Sequence, residues 1–314
     1  MQPSLWQRLR YAPWFVQLVV IRRCNLSCGY CNEFDKTSAP VPLDLLKARV
    51  DRIKDLGSFG ICFTGGEPTL HPDLPALIHY ARYERRFLRT GMISNGTYLT
   101  PKLIQALNEA GLQELQISID GVQRNETTEK VLNNLRKRLE ALREHATFNV
   151  TVSGVVGACP PEESFEVIAY AKQMGFRPRV LLVHGADGQI RLTAEQLQAY
   201  HEIQKSIGRH LFEPSAYRHR LITTGRAPFK CRAGSRYLYV NEFGMVHWCS
   251  QTKQYFGKPL AEYTFDDLKQ QFHTPKSCAD RCTLGCVRSA SAFDEWRGQT
   301  ALATQAPAAA SNSR

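Results

Sequence analysis

Six short apolar runs rich in β-branched residues, "WFVQLVVI", "FGICFT", "FLRTGMIS", "LQELQISI", "ATFNVTVSGVV" and "RPRVLLVH", alternate with amphipathic stretches between Trp14 and about position 184. Those stretches, at 43–56, 73–85, 100–110, 128–145 and 161–175, have the apolar spacing of helices that bury one face. Hydrophobic strands separated by helices call for a parallel sheet covered by them, and right-handed crossovers curl it toward a barrel. The expected fold is α/β, a partial (β/α)6 barrel with its chemistry at the C-terminal ends of the strands. Helix punctuation agrees: Asp73 and Thr100 with Pro101 at starts, Gly57, Gly111 and Gly175 at stops.

Beyond the sixth run the pattern changes. A helix at 193–208 and a basic aromatic stretch, "RHLFEPSAYRHR", lead to a smaller cysteine-bearing unit. It opens with a hairpin, "RYLYVNEFGMVHWCS", turning at Asn241 to Gly244. The end, "QTALATQAPAAASNSR", has little to bury and reads as a disordered tail. The opening "SLWQRLRYAPWF" suits either a membrane surface or, the favoured reading, a cover for the open bottom of a barrel. Its apolar run is too short to span a bilayer and no cleavage site follows, so no transmembrane segment is expected and the protein reads as cytoplasmic.

In a reducing compartment ten cysteines are better metal or redox ligands than disulfide partners. Three of them, Cys24, Cys28 and Cys31, stand at C-x3-C-x2-C on the loop after the first strand. Three thiolates can hold three irons of a [4Fe-4S] cluster and leave the fourth open to a non-protein ligand. Zinc is the rival, but a closed structural site wants four ligands and no histidine is near in sequence. Three plain core cysteines do not suit a loop.

"CNLSCGYC" resembles the signature of the radical S-adenosylmethionine (radical SAM) superfamily, with Tyr30 at its aromatic position. "TGGEP", "ISNG" and "SIDG" follow at the ends of the next three strands, and the likeness covers about residues 14–185. The resemblance implies a [4Fe-4S] cluster on Cys24, Cys28 and Cys31 as the catalytic centre. S-adenosyl-L-methionine (SAM) would bind it and be cleaved reductively to a 5'-deoxyadenosyl radical. By the same resemblance Gly65 and Gly66 admit the methionine moiety, and Glu67 balances the cationic SAM. Ser94, Asn95, Ser118 and Asp120 would serve as ribose and carboxylate hydrogen-bonders, with Tyr30 at the adenine edge. Taken singly, the glycines also suit a plain turn and the polar residues a cap.

Cys231, then Gly244 after twelve residues and Cys249 after four more, resemble the start of the SPASM and twitch auxiliary-cluster modules. "CADRCTLGC" adds Cys278, Cys282 and Cys286 at C-x3-C-x3-C, a departure from both patterns that leaves one cysteine spare or one iron open. The favoured set for one auxiliary [4Fe-4S] cluster is Cys231, Cys249, Cys278 and Cys282, with Cys286 close behind; a zinc site is the alternative. The resulting division is 1–13 extension, 14–190 radical SAM core, 191–230 helical linker, 231–296 twitch/SPASM-like domain and 297–314 tail.

Other residues carry weaker signals. Glu33 and Asp35 lie near the cysteine loop, and His184 with Asp187 at the rim. His71 reads as packing, Cys62 as core and Cys159 as an unligated thiol or a hydrogen-atom donor. The expected function is a radical SAM oxidoreductase or bond-forming enzyme acting on a small-molecule, lipid or peptide substrate, fed by a flavodoxin- or ferredoxin-type donor. A SPASM-type peptide maturase ranks second. A non-catalytic iron-sulfur or zinc protein that binds nucleic acid through the net charge of +11 ranks last. Much of that charge lies on solvated helix faces, and nucleic acid is not the expected partner.

Overall fold

The computed structural model describes residues 4–183, 190, 192–207, 215–227 and 229–291. His184, Asp187 and the C-terminal tail lie outside the described residues.

The six apolar runs form β1 (Phe15–Ile21), β2 (Gly60–Gly65), β3 (Arg89–Ser94), β4 (Glu114–Ser118), β5 (Asn149–Val156) and β6 (Arg177–Leu182). Each pairs in parallel with the next. Helices α1 (Leu5–Tyr11), α2 (Leu43–Asp55), α3 (Leu74–His79), α4 (Pro101–Glu109), α5 (Leu132–His145) and α6 (Pro161–Gln173) precede or link them. Alternate strand residues face opposite ways. Val16, Leu18, Phe63, Met92, Leu115, Ile117 and Val152 are buried in one cluster with Leu46, Ile53, Leu77, Ile104 and Leu139 of the helices. The register puts Gln17, Cys62, Thr64, Gln116, Ser118, Ser153 and Arg179 on the other face, which is polar.

After α7 (Ala194–Ile207) and α8 (Ser215–Thr224) comes the expected hairpin, β7 (Tyr237–Val240) and β8 (Met245–His247), with β9 (Lys258–Pro259) beyond it. Gly244 turns at φ +80°, and a Cβ there would stand 3.1 Å from the Arg49 guanidinium. β7 pairs in parallel with β1, so the hairpin continues the six parallel strands in one sheet of order β6-β5-β4-β3-β2-β1-β7-β8-β9. Two short segments follow, α9 (Phe265–His273) and α10 (Gly285–Ala290). Tyr11 of α1 packs edge-on against Phe272 of α9 at 5.0 Å, while Leu5, Trp6 and Leu9 stay exposed.

The expected helix at 128–145 begins four residues late, at Leu132. Asn125 Oδ1 accepts from the backbone N–H groups of Thr127 (2.8 Å) and Thr128 (2.9 Å), and Val131 bridges Gly121. That side chain supplies a loop with hydrogen bonds a first helical turn would otherwise give. His71 is buried, with Nε2 2.8 Å from the Val41 carbonyl, and packs as expected.

Candidate active site

The cysteine loop is closed at its base by backbone bonds, Cys24 N to Asp35 O (3.0 Å) and Asp35 N to Arg22 O (3.2 Å). The Asp35 carboxylate is spent on this turn: it accepts from Ser38 Oγ, Ser38 N and Thr37 N, which lower its pKa. Cys24, Cys28 and Cys31 line one cavity of about 110 Å³, shared with Gly65, Gly66, Ser94, Asn95, Ser118 and Lys130. Backbone N–H groups point at two of the sulfurs, Leu26 N at Cys24 and Glu129 N at Cys28, both at 3.4 Å. Asn95 Nδ2 adds a longer contact to Cys24 at 3.7 Å. Burial pushes the Cys24 thiol up and the Leu26 N–H pulls it back.

The two glycines after β2 have a reason within the chain. A Cβ on Gly65 would lie 2.1 Å from Ile21 O, and one on Gly66 2.2 Å from Arg22 O. Gly66 N and Glu67 N donate to Ile21 O (2.9 Å) and Arg23 O (3.0 Å). The glycines therefore let β2 meet the root of the cysteine loop, backbone on backbone, as well as lining the cavity.

Glu67 has partners within the chain. It is fully buried, and Oε1 accepts from Thr69 N (3.1 Å), Thr69 Oγ1 (2.6 Å) and Ser94 Oγ (2.7 Å) while Oε2 accepts from Asn95 N (2.7 Å). Burial raises its pKa and these donors oppose the rise. The carboxylate stands behind the cavity wall, where it fixes Ser94 and Asn95 at the end of β3. The Tyr30 hydroxyl donates to Asp120 Oδ2 at 2.5 Å and its ring lies 4.9 Å from Lys130 Nζ. Asp120 is buried, and Oδ2 takes Thr128 Oγ1 as well (2.7 Å), while Oδ1 is left without a hydrogen bond. Burial disfavours the charged Lys130, but Tyr30, Asp120 and Cys28 around it raise its pKa overall. Thr128 and Lys130 were not legible in the sequence, since their segment reads as helix and Lys130's partner Tyr30 is remote, whereas Thr69 stands two residues from Glu67 and could have been found as its local donor.

All five C-terminal cysteines lie in one neighbourhood, with Cys286 beside Cys282 at its edge. Cys231, Cys249, Cys278 and Cys282 are electrostatic neighbours, and burial pushes Cys231 up to about 11 and Cys249 up to about 12. Cys286 is a neighbour of Cys282 and also faces Tyr237, with Arg179 beside it and Cys62 within electrostatic reach. Cys62 is buried as expected, and Cys159 donates to Asp120 O at 2.7 Å. Among the described residues no three cysteine, histidine or acidic side chains stand in ready metal-binding geometry.

A mostly parallel α/β sheet presenting three thiols and a polar cavity at its carboxyl rim defines an enzyme fold suited to a thiolate-held inorganic cofactor. The Radical SAM superfamily matches residues 18–202, and the chain belongs to that superfamily. It is 29% identical over 173 residues to the AdoMet-dependent heme synthase of Methanosarcina barkeri, covering 52% of this chain and 48% of that protein. It is 28% identical over 202 residues to the GTP 3',8-cyclase of Aliarcobacter butzleri, covering 59% and 61%. With the PqqA peptide cyclase of Bradyrhizobium diazoefficiens it shares 32% identity over 136 residues, 42% and 35% of the two chains. The chain thus matches less than two thirds of the length of each. Among solved structures, SuiB of Streptococcus suis bound to precursor peptide SuiA superposes with TM-score 0.65 at 15% identity, over 81% of this chain and 64% of that one. Native anSMEcpe with bound AdoMet and Cp18Cys peptide gives 0.59 at 16% identity, over 88% of each. These likenesses show the fold. No described helix is long and apolar enough to cross a membrane.

Proposed function

We propose that the chain is a radical SAM oxidoreductase or bond-forming enzyme that abstracts hydrogen from a biosynthetic substrate. The observation that carries this reading is the convergence of Cys24, Cys28 and Cys31 on one cavity with Gly65, Gly66, Ser94, Asn95 and Ser118. The residues suit the cofactor by their chemistry. Three thiolates leave one iron of a [4Fe-4S] cluster open, and N–H groups on Cys24 and Cys28 stabilise sulfur that carries negative charge. Asp120 Oδ1, buried and unbonded, suits a ribose hydroxyl. Bound there, the cluster supplies the electron that cleaves SAM to a 5'-deoxyadenosyl radical. Ser94, Asn95, Ser118 and Asp120 orient SAM, Glu67 holds Ser94 and Asn95 in place, and the Tyr30–Lys130 pair shields the outer side of Asp120.

We read the region 231–296 as a twitch/SPASM-like unit following the core at 14–190, with an auxiliary [4Fe-4S] cluster on Cys231, Cys249, Cys278 and Cys282 and with Cys286, beside Cys282, next in line as a ligand. Four thiolates favour electron acceptance, hence oxidation or bond formation; zinc on the same residues would make the unit structural. A flavodoxin- or ferredoxin-type donor and a cytoplasmic setting go with this chemistry. A peptide substrate is the second reading, favoured by the PqqA peptide cyclase relative.

The test is iron, sulfide and zinc content after anaerobic reconstitution, with 5'-deoxyadenosine formation from SAM. About eight irons, falling to about four in the Cys24/Cys28/Cys31→Ala variant, is the expected result. SAM left intact by the reconstituted protein, with or without strongly salt-dependent RNA binding, would overturn the reading.

A further inference from the structure

Arg218 of α8 has 1% of its surface exposed. Its Nη1 donates to the Val180 carbonyl on β6 at 3.3 Å, and its Nε and Nη2 make no hydrogen bond. The guanidinium lies 5.2 Å from the Tyr217 ring, whose hydroxyl is anchored on Thr283 O at 2.6 Å. A buried cation with two donors idle costs free energy that a bound anion would recover.

A second guanidinium comes to the same place. A Cβ on Gly285 would lie 2.2 Å from Arg179 Nη2 and 2.9 Å from Arg218 Nη2, so both groups converge where that glycine has no side chain. Ion pairs among the described residues include none to Arg218. The strand register also sets Ser118, Ser153 and Arg179 in one row across β4, β5 and β6. Ser153 Oγ is buried without a hydrogen bond, and Ser118 lines the cysteine cavity. Arg179 Nη1 donates to Gln116 Oε1 at 3.2 Å, so its guanidinium turns back from β6 over β4 on the same face as Ser118 and Ser153.

We propose that Arg218 and Arg179, with Ser153 beside them, hold an oxyanion of the substrate, a carboxylate or a phosphate. This rests on the reading that the substrate reacts next to the cysteine cavity. The substrate this site selects is polar and anionic.

The test is calorimetric titration of the anaerobically reconstituted full chain with inorganic phosphate and, separately, with succinate. At least one of them should bind, with Kd raised about tenfold or more in Arg218→Gln and less in Arg218→Lys. The tighter anion identifies the group. Should Arg218→Gln not fold, Ser153→Ala is expected to weaken the same anion by about threefold or more. No binding of either anion to the parent protein would overturn the proposal. So would unchanged affinity in Arg218→Gln, which with a loss of iron would make Arg218 a counter-ion of the cysteine group, or, should that variant not fold, unchanged affinity in Ser153→Ala. The titration uses neither SAM nor electrons: anion binding without SAM cleavage sinks the proposed function alone, and SAM cleavage without anion binding sinks this inference alone.

Discussion

Lys253 Nζ lies 2.6 Å from Glu33 Oε1, joining a residue just beyond Cys31 to one just beyond Cys249. Tyr239 of β7 donates to the other Glu33 oxygen, and Arg22 stands 3.6 Å from it. The sequence left Glu33 as an acid near the cysteine loop; the fold makes it the tie between the two cysteine regions. Glu33→Gln removes the charge that Lys253 and Arg22 share and should cost about 2 kcal/mol. Urea unfolding checks this as a lower midpoint at unchanged slope.

Gly66→Ala forces a Cβ onto the Arg22 carbonyl, a backbone atom that has no rotamer to escape into. Stability should fall by about 3 kcal/mol or more, and iron bound after reconstitution should drop by about four as the cysteine loop is displaced. Gly91→Ala is the control: its Cβ would meet Cys62 Sγ at an ordinary 3.6 Å, and the change should cost less than about 1 kcal/mol.

Glu67→Ala leaves the N–H groups of Thr69 and Asn95 and the Ser94 hydroxyl without an acceptor. A loss of about 3 kcal/mol is expected, with SAM affinity in equilibrium dialysis falling about tenfold because Ser94 and Asn95 lose their support.

Cys286→Ala should keep the metal content of the C-terminal site, whereas Cys231→Ala should lose it. Iron and zinc analysis decides this, and equal losses would put Cys286 among the ligands.

Asp267 caps α9 with Thr264 and accepts from Lys258 Nζ at 2.8 Å on both oxygens. Burial would raise its pKa, but Lys258 and Thr264 hold it below the usual 3.8. Because the folded value is depressed, the stabilisation is complete above the unfolded value and is lost as pH falls through the folded one. Asp267→Asn should cost about 1 kcal/mol at pH 7 and give a shallower decline below about pH 4, the two proteins converging in strong acid. Urea midpoints from pH 2.5 to 7 measure it.

The strands were legible because each is one apolar run with a glycine or polar stop, and the cysteine loop because its spacing is local. The hold of Glu67 on Ser94 and Asn95 was not legible because these partners at the end of β3 lie 27 and 28 positions away, and only the strand register brings them to it. The late start of α5 follows from one asparagine side chain, which a propensity sum over 128–145 does not weigh. Arg218 gave no signal, since a basic residue in "SAYRHR" looks like surface until the fold closes over it.

The pairing of β7 with β1 joins residues more than two hundred positions apart in sequence. While the chain is being synthesised, β1 keeps a bare hydrogen-bonding edge until β7 leaves the ribosome, and such edges recruit neighbouring chains. Slow, non-local closure of this kind predicts that expression at low temperature or with a chaperone, rather than any change near the cysteines, decides how much folded protein is recovered.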